Sequence, residues 1–167
     1  PFFKIHGKSS NIIIGDNVQI LGNIDLRNRE DGKIIIKDNV KIEENCRFVA
    51  AQKCTIEIGC NTVIGRDAIW NCGGSLKIGE NCIFAARSAI MSIEHNIKKD
   101  QLIKEQGFSH EEITVGDDCI FGINVTVLKG IIIRDGTVIG ANSVVNKSTE
   151  KLSINAGIPA KKIDKRK

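Results

Sequence analysis

The sequence predicts an all-β fold: a parallel β-helix of about six triangular coils with one protruding loop and a short basic segment at its C-terminal end. Three observations predict it. Aliphatic or aromatic residues recur every six positions. Glycine or a small residue recurs in step with them. The composition is rich in isoleucine and valine, has no tyrosine and only 4% aromatics, which favours strands over helices.

The six-residue step is plainest from Val115, where it gives Val115, Phe121, Val127, Ile133, Ile139 and Val145. Upstream it gives Ile14, Ile20, Leu26, then Ile36, Ile42, Phe48, then Ile58, Ile64, Trp70, then Ile78, Phe84, Ile90. All eighteen positions are apolar; against a 41% apolar background, chance gives roughly one in 10⁷ for a fixed phase. Four positions after many of these stands a small or β-branched residue, such as Val40, Cys46, Ala68, Cys82, Cys119 or Ser143. One position after stands a glycine in Gly15, Gly59, Gly65, Gly79, Gly116, Gly122 and Gly140. A helical period does not fit a step of six, whereas short strands broken by tight turns do.

Three hexads close one triangular coil, so coils restart about every 18 residues. The coils starting at Val115 and Ile133 obey this; the earlier starts at Ile14, Ile36, Ile58 and Ile78 run 22, 22, 20 and 37 residues to the next. The extra residues fall after the third hexad each time. The insertions are therefore expected to stack along one corner, with the longest, residues 91–112, protruding from it. The expected organisation is an N-terminal lead-in over 1–13, the β-helix over 14–149 and a C-terminal extension over 150–167.

The 167 residues suffice for one domain with a proper core. A net charge of +4 is too mild to argue for nucleic acid, although Lys161, Lys162, Lys165, Arg166 and Lys167 crowd the end. The six cysteines show no Cys-x-x-Cys spacing; Cys46, Cys82 and Cys119 occupy the small inward position and read as buried thiols in a reducing compartment. No signal peptide opens the chain and no run of 18 apolar residues could span a bilayer, so a cytoplasmic location is expected.

The runs IGENCIFAARSAI, VGDDCIFGINVTVLKGIIIRDGTVIGANSVV and AGIPAKKI resemble the hexapeptide-repeat acyltransferases. The branch most resembled is that of the galactoside, maltose, xenobiotic and surface-polysaccharide acetyltransferases. The resemblance runs from about residue 12 to 163 and is most specific from Val115 to Ile163. It implies a left-handed coil, contrary to the usual crossover rule, and a homotrimer with substrate sites between neighbouring prisms. It also implies acetyl-coenzyme A as co-substrate, no required metal, and a sugar or glycan-precursor acceptor, acetylated at a hydroxyl or, as the less favoured alternative, at an amine.

Acyl transfer from a thioester needs a general base, donors for the developing oxyanion and a cleft for both substrates. Histidine suits the base. His6 precedes the first coil and reads as surface, and His110, beside Glu111 and Glu112, reads as solvated loop. His95 falls at the root of the largest insertion, in AIMSIEHNI, where the resemblance places the catalytic histidine in a Ser-x-x-His context that Ser92 and His95 match. Glu94 is a candidate for orienting the imidazole.

For coenzyme A, the resemblance assigns the pantetheine arm to Gly122, Gly140, Ala141 and Ser143, with Lys147 nearby, Pro159 of Gly157-Ile158-Pro159-Ala160 at the adenine end, and Lys161, Lys162 and Arg166 at the phosphates. The glycines are equally explained by turn geometry. Many relatives carry a tryptophan in a V-W-I-G run where this chain has Cys119-Ile120-Phe121-Gly122. Trp70 is expected to pack at a coil corner rather than replace it, and Asn71 beside it to touch the acceptor. Two other readings compete. A zinc hydratase of the γ-carbonic anhydrase type would need three converging histidines, which His6, His95 and His110 are poorly spaced to supply. A non-catalytic binding prism would bind coenzyme A without transfer.

Overall fold

The computed structural model describes residues 2–167, and they wind into a three-faced prism of parallel strands. The first face stacks Ile12–Ile14, Lys33–Ile36, Thr55–Ile58, Leu76–Ile78, Ile113–Val115 and Ile132–Ile133. The second stacks Gln19–Ile20, Lys41–Ile42, Val63–Ile64, Ile83–Phe84, Ile120–Phe121 and Val138–Ile139, then Ser153–Ala156 and Lys161–Lys165. The third stacks Phe3–His6, Ile24–Asn28, Cys46–Ala50, Ile69–Cys72, Ala89–Met91, Thr126–Leu128 and Val144–Val145. The chain visits the faces in this order six times, which makes the six coils that the periodicity predicts. Phe3–His6 adds a parallel rung below the first full coil, with Phe3 opposite Ile24 and His6 opposite Arg27.

Each inward column is one residue of the six-step repeated up the prism: Leu26, Phe48, Trp70 and Ile90 are successive register partners on the third face, and all are buried. Trp70 is fully buried in the interior and not packed at a corner. Its ring stacks on Phe48 at 4.4 Å and meets Phe84 edge-on at 5.2 Å, and Phe84 stacks on Phe121 at 4.3 Å. The indole N–H, which burial would otherwise leave unpaired, donates to Ser88 Oγ at 3.2 Å. The interior has room for this ladder because the alternate positions are small: Cys46, Ala68, Cys82, Ser88 and Cys119 are all buried there.

The corners turn sharply because one residue in each takes a left-handed backbone. At the corner between the first and second faces these are Asn17, Asn39, Asn61, Asn81 and Asp118, with Gly136 in the same place on the last coil. Short polar side chains and glycine tolerate that conformation best. Their N–H groups continue the ladder, as when Asn39 N–H donates to Asp16 O at 2.9 Å and Asn61 N–H to Asp38 O at 3.0 Å. Gly59 beside this corner has no room for a side chain, since a Cβ would lie 2.2 Å from Gly79 O.

All the insertions leave from the corner between the third and first faces, as the spacing predicts. Between Met91 and Ile113 the chain makes its longest excursion, and Ile93–His95 pairs antiparallel with Phe108–His110. His110, expected in open loop, is thus a strand residue opposite Ile93. At the far end, the C-terminal segment is ordered: Lys161–Lys165 folds back antiparallel on Ser153–Ala156.

Candidate active site

The excursion is tied to the prism through Ser92. This residue is fully buried; its hydroxyl donates to Gly74 O at 2.6 Å and its N–H to Asn71 O at 3.2 Å, while its carbonyl accepts from Glu111 N–H at 3.1 Å. It pins both the departure and the return of the chain. Singled out from sequence with His95, Ser92 has its hydroxyl occupied by the backbone of Gly74. Farther out, Gln106 closes the tip: Lys98 N–H donates to its Oε1 at 2.6 Å, and its Nε2 donates to Lys98 O and Gln101 O, both at 2.8 Å.

This scaffold presents His95 at the mouth of a cavity of about 380 Å³ on the third face. Opposite His95 in the hairpin is Phe108, whose ring lies 4.4 Å from the imidazole. Outward-facing Asn71 and Met91, on neighbouring strands, form the back wall with Val49, and Arg29 and Glu30 line the lower end. Asn71 and His95, singled out from sequence, are therefore brought together. Glu94 also lines the cavity, but its carboxylate lies 3.8 Å from Lys129 Nζ rather than on the imidazole. Lys129 pairs more closely with Glu111, at 2.7 Å, and that hydrogen bond holds its ammonium charged to higher pH than usual.

The predicted coenzyme A residues fall at the last two coils. Gly122 ends the strand Ile120–Phe121 directly beneath the next coil, and a Cβ there would lie 2.5 Å from Ala141 N, so stacking alone demands glycine. Above it, Gly140 N–H donates to Asn155 O at 2.8 Å, and Ala141 is exposed. Ser143 is fully buried and its hydroxyl accepts from Gly157 N–H at 3.0 Å, so it anchors the closing turn that carries the cis Ile158–Pro159 bond instead of facing a ligand. Exposed Pro159 sits in that turn.

Lys147, Lys161 and Lys162 gather around a cavity of about 230 Å³ with Glu150 and Asn155. Lys162 pairs with Glu150, holding that carboxyl below its usual range, while Lys147 and Lys161 have no carboxylate within 4.0 Å among the described residues. Arg166, expected at the phosphates, instead reaches Asp118 at 2.8 Å and Gly136 O at 3.2 Å, strapping the C-terminal strand to an earlier coil. Ile120 points outward from the second face, 41% exposed, in a column with Val63, Ile83, Val138 and Ile154. It is not among the residues lining the His95 cavity.

Phe108 and Arg29, which line the cavity, and Gln106 and Lys129, which brace the excursion, are not singled out by the sequence. The only sequence signal was their place in or beside the insertions on one corner.

Comparison with known proteins agrees with this architecture. Residues 112–147 match the family described as hexapeptide repeat of succinyl-transferase. The chain is 29% identical over 157 residues to the probable acetyltransferase Rv3034c of Mycobacterium tuberculosis, covering 93% of this chain and 50% of that one. It is 31% identical over 134 residues to the putative lipopolysaccharide biosynthesis O-acetyl transferase WbbJ of Escherichia coli, covering 80% and 61%. The chain thus spans about half to three fifths of the length of these relatives. Among solved structures, a mutant of AntD, an N-acyltransferase from Bacillus cereus in complex with dTDP-4-amino-4,6-dideoxyglucose and coenzyme A, superposes with a TM-score of 0.76 at 20% identity, over 92% of this chain and 83% of that one. The repeat over residues 112–147 and the prism built on it thus fit the hexapeptide-repeat description, and the chain is similar in sequence to acetyltransferases and in fold to an N-acyltransferase.

Proposed function

We propose that the protein transfers an acetyl group from acetyl-coenzyme A to a hydroxyl of a sugar, with His95 as general base. The observation that carries the proposal is the placement of His95, with Asn71, at the mouth of a cavity built from four adjacent coils. His95 takes the proton of the acceptor hydroxyl as its oxygen attacks the thioester carbon. Backbone N–H groups hold the developing oxyanion. The carbon–sulfur bond then breaks, and His95 returns the proton to the departing thiolate. Asn71 is assigned to orient the sugar.

For the donor, Lys147 and Lys161 line a cavity with no carboxylate within 4.0 Å of either among the described residues, which suits a polyanion. Gly122, Gly140 and Ala141 are assigned to the arm, and Pro159 to the adenine end. We further propose a homotrimer, with donor and acceptor sites meeting between neighbouring prisms. The outward aliphatic column on the second face gives copies an apolar surface to bury. The relatives named as sugar or polysaccharide acyltransferases support the acceptor class.

The test is acetyl transfer to a panel of mono- and oligosaccharides, read by product mass, with His95→Ala in parallel. Transfer reduced by ~10²–10⁴ in the variant is expected. Near wild-type turnover in His95→Ala would remove the histidine from the mechanism. Coenzyme A binding with no transfer to any acceptor would favour a binding module.

A further inference from the structure

The hairpin that carries His95 is rich in carboxylates. Glu94 precedes the histidine on the outgoing strand, and Glu111 and Glu112 follow Phe108–His110 on the return. Glu112 is matched by Lys77 at 3.3 Å. For Glu94 and Glu111 the only cation within 4.0 Å among the described residues is Lys129, at 3.8 Å and 2.7 Å. One ammonium thus serves two carboxylates, one from each side of the hairpin. The Lys129 side chain is 18% exposed, against 46% for Glu94 and 59% for Glu111, so it is the most enclosed of the three.

The coil above fixes that lysine in place. Lys129 follows the strand Thr126–Leu128, whose Leu128 is the register partner of Met91. The chain then turns at Gly130, where φ is +73° and a Cβ would lie 2.6 Å from Glu111 Oε2. Glycine lets this turn close against the base of the hairpin. Successive residues of a strand point apart, and Glu94 is directed to Lys129 while His95 meets Phe108. No carboxylate lies within 4.0 Å of His95 among the described residues. The remaining titratable groups around the imidazole are His110 on the opposite strand, and Arg29 and Glu30 at the far end of the cavity.

A general base accepts a proton only while it is neutral, and a carboxylate beside an imidazole favours the protonated form. We infer that Lys129 is a positioning residue for the transfer: it holds Glu94 away from His95 and offsets its charge, so that the imidazole stays free to take the acceptor's proton. The inference rests on the reading of His95 as the base. The hydrogen bond to Glu111 keeps the ammonium charged to higher pH than usual, so the lysine is a cation throughout the range in which a histidine titrates. Folding does not require the arrangement, since ion pairs with exposed carboxylates contribute little to stability.

The test compares Lys129→Met, which keeps the aliphatic stem and removes the charge, with Lys129→Arg and with the double variant Lys129→Met, Glu94→Gln. In each protein the His95 imidazole is titrated by two-dimensional NMR, with His95→Ala identifying its signal among the three histidines. In parallel, kcat/KM for acetyl transfer is followed against pH. Lys129→Met should move the His95 midpoint to higher pH. It should also lower kcat/KM by about two- to tenfold below neutral pH, with the loss disappearing as the pH rises. Lys129→Arg should keep the wild-type profile, and Glu94→Gln should reverse the midpoint shift caused by Lys129→Met. Coenzyme A affinity, titrated in the same samples, reports that the variants are folded. An unchanged midpoint in Lys129→Met, with activity lost equally at every pH, overturns the inference, as does a shift that Glu94→Gln fails to reverse. A reversible midpoint shift in a protein whose transfer survives His95→Ala supports the link from Lys129 to the imidazole and overturns the reading of His95 as the base instead.

Discussion

The imidazole of His95 rests against the ring of Phe108, with centroids 4.4 Å apart and planes inclined at 45°, across a two-stranded hairpin that pairs the two residues directly. Both side chains are exposed, so the contact restricts the imidazole more than it stabilises the fold. Phe108→Ala should lower kcat by about 10- to 100-fold, the cost of a misplaced base. Phe108→Tyr should restore most of it, and the melting temperature should change little in either. Equal loss in both variants would mean the ring has another role.

The basic cluster at the C-terminal end is not uniform. Lys162 is already matched by Glu150, whereas Lys147 and Lys161 are free. Lys147→Ala and Lys161→Ala should each weaken coenzyme A binding by about two- to fivefold, as expected for exposed charges, with less effect from Lys162→Ala. Glu150→Gln should tighten it, because a carboxylate facing the phosphates is removed. Calorimetry at two salt concentrations checks all four.

Five of the six cysteines are buried and only Cys60 is partly exposed. Burial pushes the Cys46 thiol up to about 11 and Cys72 up to about 12. A disulfide reagent at neutral pH should therefore titrate one thiol in the native protein, abolished by Cys60→Ala, and all six in denaturant. If so, the Cys60→Ala protein allows release of coenzyme A to be followed by thiol colour without interference.

Trp70 joins Phe48 to Phe84 inside the prism. Trp70→Ala removes the largest buried side chain and leaves Ser88 without its donor, so a loss of about 3–5 kcal/mol is expected. Denaturant unfolding followed by circular dichroism checks this, and in the wild type the single tryptophan reports the same transition by fluorescence.

The Arg27 guanidinium hydrogen-bonded to Asp25 holds its carboxyl below the usual carboxylate range, with further help from the Arg27 and Arg47 charges against the opposing effect of burial. A carboxyl lowered on folding contributes stability that is complete above its unfolded value of about 4 and is lost as pH falls through the lower folded value. Asp25→Asn should therefore be less stable than wild type at neutral pH, and the difference should shrink as pH falls through the lowered folded value. Urea melts across that range would show it.

Much of this protein is written in its sequence because a coil repeats one local rule. The six-step column from Ile14 to Val145 fixes which side chains face inward, and the excess residues between Leu26 and Ile36, Phe48 and Ile58, and Ile90 and Val115 fix the corner from which the insertions leave. The place of His95 followed from that corner. Periodicity could not say what neighbouring coils do to one another. Ser92 and Ser143 lie in motifs that suggest ligand contact, yet stacking buries both and engages their hydroxyls with the chain next to them. Trp70 was expected at a corner, and only the packed interior shows that the small residues around it open space for a ring. Arg29 and His95 stand 66 positions apart and share one cavity because three coils separate them along the prism, a distance set by the strand spacing and not by the chain.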